Sequence, residues 1–260
     1  MPFETILYDV RDRVATITLN RPEVLNAFAS ETMQELLQAL HQAEDDPQVG
    51  CVVLTGAGRA FCSGADVRGF QEAIQQQRPR LSSVTSESAP QLMFNMKTPI
   101  IAAVNGPAVG LGATLTLPCD IRIASDRARF GFIFARVGLI PELGSTFFLT
   151  RVVGLAKAKE LVFTTRIIDA EEALSIGLVN KLVPHDRLIE ETMAMASAIA
   201  QGPTRILGLA KEAIHRGLSS DLAEAERQEA EGLAICQRSP EHAEGVKAFL
   251  EKRQAQFHKV

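Results

Sequence analysis

Two stretches of this chain follow the same course, and between them they confine the fold. Residues 51–67 read CVVLTGAGRAFCSGADV and residues 100–112 read IIAAVNGPAVGLG. Each begins with four or five consecutive apolar residues, too few for a helix of ordinary length and suited to a buried strand. Each then passes through a turn of glycines and alanines toward a helix start. The alternation continues elsewhere: runs at 5–8 and 14–19 read as a β-hairpin, and 119–124, 128–130 and 178–183 as further strands. Strands alternating with helices imply an α/β core assembled from short β–β–α units.

Helix signals lie between these runs. Ser30 can cap a helix in which Met33, Leu36, Leu37 and Leu40 recur at helical spacing. Asp66 can cap a second, and Pro107 can open a third. Residues 75–90 are rich in glutamine and serine and carry Pro79 and Pro90, which suits a mobile loop. After about residue 200 the strands stop, and amphipathic helices are predicted over 204–216, 221–237 and 241–256. The expected division is therefore an α/β core over residues 1–200 and a helical region over 201–260.

Composition removes several classes of function. With formal net charge −4 and pI near 5.8, the chain shows no basic stripe for a nucleic acid. Cys51, Cys62, Cys119 and Cys236 form no C-x-x-C pair and read as small thiols kept reduced. The five histidines are scattered without metal-ligand spacing, so no metal is expected. The first residues carry charges where a signal peptide needs an apolar stretch. The most apolar segment, 100–118, contains Asn105, Pro107 and three glycines, which breaks a spanning helix. A cytoplasmic protein with no membrane partner is expected.

Where chemistry sits is suggested by the two turns. A helix start leaves N–H groups unpaired at the positive end of a dipole, and small residues let a ligand approach the backbone closely. Two such starts face to face would supply a pair of donors for one oxyanion. Close packing is the commoner reason for small residues at turns, and spacing alone favours it. Gly110-Leu111-Gly112 lacks the third glycine of a dinucleotide fingerprint, and neither a P-loop nor G-x-S-x-G occurs.

Ordered motifs along most of the chain narrow the choice. NRPEVLNAF (20–28), AFCSGADV (60–67), TPIIAAVNGPAVGLG (98–112), CDIRIASDRARFGF, GLIPELGSTFFLTRVVG, IDAEEALSIGLVNKLVP and FLEKRQAQF follow one another. In this order they resemble the crotonase (enoyl-CoA hydratase/isomerase) superfamily, whose fold is a spiral of β–β–α units with a C-terminal helical layer. The resemblance implies an acyl-CoA thioester substrate and an oxyanion hole built from the backbone N–H groups of Ala65 and Leu111. It implies substrate contacts from Val24, Leu25 and Ala27, from Ser63, Asp66, Val67 and Arg68, and from Phe134. Phe249 and Lys252 would meet the nucleotide end of coenzyme A, and the subunits would form trimers or pairs of trimers. No cofactor is implied, since coenzyme A belongs to the substrate.

The family's hydratases add water with two glutamates. By the same alignment their positions hold Thr114 and Phe134, neither a general base near neutral pH. Glu142, within LIPELG, matches the base of the family's Δ3,Δ2-enoyl-CoA isomerases. Its neighbours in sequence are apolar, a setting expected to raise its pKa toward the working pH. Position alone favours an acid in the first turn of a helix, and the resemblance favours catalysis. The reading favoured is an isomerase moving a double bond through a thioester dienolate. The alternatives are a ring-opening isomerase of phenylacetyl-CoA breakdown, a hydrolase or dehalogenase with a nucleophilic carboxylate, and a non-catalytic acyl-CoA-binding scaffold.

Overall fold

A computed structural model describes residues 3–66 and 88–259; the predicted helix start after Asp66 and residues 75–87 of the predicted loop lie outside them. Strands β1 (Ile6–Arg11) and β2 (Val14–Leu19) form the expected antiparallel hairpin. Its two-residue turn puts Asp12 and Arg13 at positive φ, the conformation that matches the twist of the flanking strands. β2 is followed in parallel by β3 (Cys51–Gly56), β4 (Ile100–Val104), β6 (Ile121–Ser125) and β9 (Lys181–Val183). The sheet order is β1-β2-β3-β4-β6-β9. A small second sheet joins β5 (Pro107–Val109), β7 (Arg129–Gly131) and β8 (Ile167–Asp169).

The central strands of the large sheet are buried on both faces, as their apolar runs require. Ala15, Ile17, Val52, Leu54, Ile100, Ala102 and Val104 enter one core cluster with Leu36, Ala39 and Leu40 of α1 (Ser30–Asp45). Their sequence neighbours Val14, Cys51, Val53, Ile101 and Ala103 enter a second, with Leu188, Ala196 and Ala200 of α7 (Leu188–Ala200). Between these lie α2 (Ala89–Asn95), α3 (Leu111–Thr116), α4 (Ser145–Val153), α5 (Leu155–Thr164) and α6 (Ala170–Ser175). Among the described residues no helix is long and apolar enough to cross a membrane.

The predicted loop over 75–90 ends early, since Ala89 and Pro90 open α2 with Ser88 as its cap, and three further expectations are corrected. Ser30 is the first residue of α1 and caps nothing; Ala29 precedes it in an extended conformation, because Phe28 is paired like a strand residue with Ala65. Pro107 begins β5, and the helix starts only at Leu111. The Pro107 carbonyl accepts the N–H groups of Phe61 and Cys62, both at 3.1 Å, so pairing across the fold overrides the local helix signal. The last helix is shorter than the predicted 241–256. α10 (Pro240–Leu250) ends where Lys252 turns left-handed and Arg253 folds back to Glu244 at 2.7 Å.

The tail helices differ in how they are held. α8 (Thr204–Gly217) docks through Lys211, only 8% exposed, whose ammonium lies 2.8 Å from Asp120 and also donates to the Met93 carbonyl. α9 (Leu222–Cys236) buries no residue, and α10 buries only Ala248.

Candidate active site

The turn at residues 60–66 is laminated between two other segments. On one side, Val109 donates to the Cys62 carbonyl at 3.0 Å, and Cys62 pairs in parallel with Ala108. On the other, Ser63 donates to Leu25 at 3.0 Å, Phe28 to Gly64 at 2.8 Å, and Asp66 to Phe28 at 3.0 Å. Backbones this close leave no room for side chains: a Cβ on Gly112 would lie 2.1 Å from the Cys62 oxygen, and one on Gly64 would lie 3.1 Å from the Val109 oxygen. Gly64 also has φ +112°, a conformation available essentially to glycine. These glycines are explained by packing; what they frame is a donor pair.

Ala65 and Leu111 stand three residues beyond Cys62 and Ala108 respectively, so the register carries both to the same end of the paired segments. In a trans peptide the C=O and N–H point in opposite directions. The Gly64 carbonyl is turned toward Phe28, so the Ala65 N–H points away from it. The Gly110 carbonyl accepts from Ala113 and Thr114, both at 3.1 Å, so the Leu111 N–H points back out of α3. Neither N–H meets an acceptor among the described residues. The two turns are close, with a Cβ built on Gly110 only 4.0 Å from the Gly64 Cα. Two unpaired donors on adjacent, backbone-locked turns suit a developing oxyanion, because nothing has to reorganise when charge appears.

The loop at residues 20–28 is shaped by left-handed Leu25 and Asn26, each at φ 56°. Asn26, 2% exposed, accepts the Arg21 N–H through Oδ1 and donates to the carbonyls of Ala57 and Ala60 at 2.9 and 2.8 Å. Sequence reasoning did not single out Asn26 or Arg21; an asparagine after the turn residues of NRPEVLNAF was the available signal, since asparagine tolerates this conformation. The Val24 carbonyl accepts from the Ser63 hydroxyl at 3.3 Å, and Arg21 reaches Asp66 at 3.4 Å. Val24, Leu25, Ala27, Ser63 and Asp66 are thus gathered around Ala65. Val67 and Arg68 lie outside the described residues.

Thr114 is fully buried, and its hydroxyl donates to the Leu111 carbonyl at 3.0 Å, one turn back in α3. Phe134 is buried at the start of a short 3-10 turn, Phe134–Val137. Glu142 is not in the first turn of a helix: α4 begins at Ser145 after left-handed Leu143 and Gly144, and the Glu142 carbonyl accepts the Ser145 N–H at 3.1 Å. The dipole role is therefore displaced by a sharp turn that presents a half-buried carboxylate. Of its sequence neighbours, Leu139 and Ile140 are exposed while Leu143 and Phe148 pack on the core. Phe249 and Lys252 stand exposed on the tail of the single chain. Cys51, Cys62 and Cys119 are buried, which pushes each thiol up to about 12 and leaves it protonated near neutral pH.

Residues 9–259 match the family model for enoyl-CoA hydratase/isomerase. The chain belongs to that family. It is 36% identical over 258 residues to the crotonyl-CoA hydratase of Syntrophomonas wolfei, covering 99% of each chain. It is 39% identical over 257 residues to the 1,2-epoxyphenylacetyl-CoA isomerase of Escherichia coli, covering 98% of each. Among solved structures it superposes on the enoyl-CoA hydratase of Bacillus anthracis with TM-score 0.91 at 33% identity, covering 99% of this chain and 100% of the other. The α/β spiral with a helical layer is therefore the crotonase fold, and the protein is an enzyme of the enoyl-CoA hydratase/isomerase family acting in acyl-CoA chemistry.

Proposed function

We propose that this family member is an isomerase that converts 3-enoyl-CoA to 2-enoyl-CoA with one carboxylate, Glu142. The carrying observation is the state of the two positions where the family's hydratases hold glutamates. One is a threonine whose hydroxyl is tied into its own helix, and the other is a buried phenylalanine. Neither activates water. A single carboxylate suffices for isomerisation. It takes a proton from C2, the Ala65 and Leu111 N–H groups hold the charge on the thioester oxygen, and the same carboxylic acid returns the proton to C4. The double bond then lies between C2 and C3, with no net change in protons or electrons. The reaction calls for no metal or redox cofactor, and coenzyme A arrives with the substrate.

A second reading, ring-opening isomerisation of an aromatic acyl-CoA, is favoured by the 39% identity to 1,2-epoxyphenylacetyl-CoA isomerase. The test presents 3-hexenoyl-CoA, crotonyl-CoA and the epoxide thioester to the wild type. Migration in 3-hexenoyl-CoA is expected, with crotonyl-CoA hydration at least about 100-fold slower, the effect of lacking a positioned acid or base. Hydration at a comparable rate would mean another group activates water. Turnover of the epoxide alone would replace the first reading with the second.

We also infer self-association. Leu222, Leu233, Phe249 and Leu250 are 75, 57, 83 and 75% exposed on α9 and α10, a larger apolar surface than a monomer ordinarily leaves in water. Light scattering at micromolar concentration is expected to give a trimer or a pair of trimers, and a monomeric mass would contradict this.

A further inference from the structure

Arg21 ends a chain of hydrogen bonds that terminates at the Ala65 N–H. Its Nη1 donates to the Ala27 carbonyl at 2.6 Å. The same peptide unit carries the Phe28 N–H, which donates to the Gly64 carbonyl at 2.8 Å. That carbonyl shares its peptide unit with the Ala65 N–H. Because each trans peptide opposes its C=O and N–H, the two units line up head to tail from the guanidinium to the unpaired donor. Each accepted bond polarises its amide and strengthens the bond that amide donates. The positive charge at the far end adds to this in the same sense, since charge-assisted hydrogen bonds are the stronger ones. The guanidinium is largely shielded from water, with its side chain 18% exposed. Its second arm reaches Asp66 at 3.4 Å, which holds the fork in place.

We propose that Arg21 is a positioning residue of the oxyanion hole, aligning and polarising the Ala65 N–H through the peptide units at 27–28 and 64–65. It does not touch the substrate. The proposal rests on the oxyanion reading of Ala65. Glutamine at position 21 keeps a donor for the Ala27 carbonyl and removes the charge, lysine keeps the charge on a single point, and histidine makes the charge adjustable.

The readout is the absorption of bound 2,4-hexadienoyl-CoA, whose conjugated band moves to longer wavelength as its carbonyl is polarised. Affinity is measured by calorimetry and folding by circular dichroism. Wild type should shift the band. Arg21→Gln should show less than about half that shift at saturation and about tenfold lower turnover of 3-hexenoyl-CoA, with affinity within about threefold, because the donor is weakened and not removed. Arg21→Lys should recover most of both. In Arg21→His the shift should grow as pH falls through about 6.5. A full wild-type shift in Arg21→Gln, or a pH-independent one in Arg21→His, overturns the relay. A wild type that binds the probe without any shift overturns the oxyanion reading of Ala65, and the relay with it.

Discussion

Glu142→Gln is expected to reduce double-bond migration by about 10³-fold or more, within the range that loss of a positioned acid or base produces. The amide keeps the size of the carboxylate and its neighbours' packing, but it cannot take a proton from C2 or return one to C4. Because the side chain stands just before α4 and not in its first turn, the substitution leaves the helix cap unchanged. Acyl-CoA affinity should stay close to wild type, and circular dichroism checks that the variant is folded. Turnover by stopped-flow absorbance and affinity by calorimetry separate these quantities. Activity within a few-fold of wild type would remove Glu142 as the base.

The second large effect concerns Ala65. Proline has no N–H, so Ala65→Pro deletes one of the two donors, and turnover should fall by roughly 10²–10³-fold. Substrate affinity should change far less, because the donor is needed most where oxyanion charge is greatest. The hydrogen bonds from Phe28 to Gly64 and from Asp66 to Phe28 use groups that proline at 65 leaves in place. Ala65→Gly is the control. It keeps the N–H and should retain activity, apart from a modest loss from added backbone freedom. A folded proline variant that binds acyl-CoA and turns over normally would show that Ala65 serves packing alone. Circular dichroism supplies the folding check.

Much of the fold was legible because strand burial leaves a local trace. The apolar runs at 51–54 and 100–104, buried at every residue, lie in β3 and β4, and Asp221, at the predicted start of a tail helix, caps α9 by accepting the Glu224 N–H at 2.9 Å. Errors fell where a distant segment decided a local outcome. Ser30 and Pro107 carried sound helix-start signals, yet pairing of Phe28 with Ala65 and of Pro107 with Phe61 and Cys62 moved both boundaries. Asn26 and Arg21 also act through partners remote in sequence, at residues 57, 60 and 66.

By itself the sequence determined which residue types stand at each place: glycines and alanine at two turns, no carboxylate at 114 or 134, and one at 142. These follow from composition at a position and survive any detail of folding. Only the tertiary structure decided what the turns present. Glycine and alanine say that backbone is accessible without saying where an N–H points, because direction belongs to the peptide plane, and the plane is held by whatever accepts its carbonyl. Phe28 holds the plane before Ala65 and the first turn of α3 holds the plane before Leu111, through hydrogen bonds that the fold alone brings together.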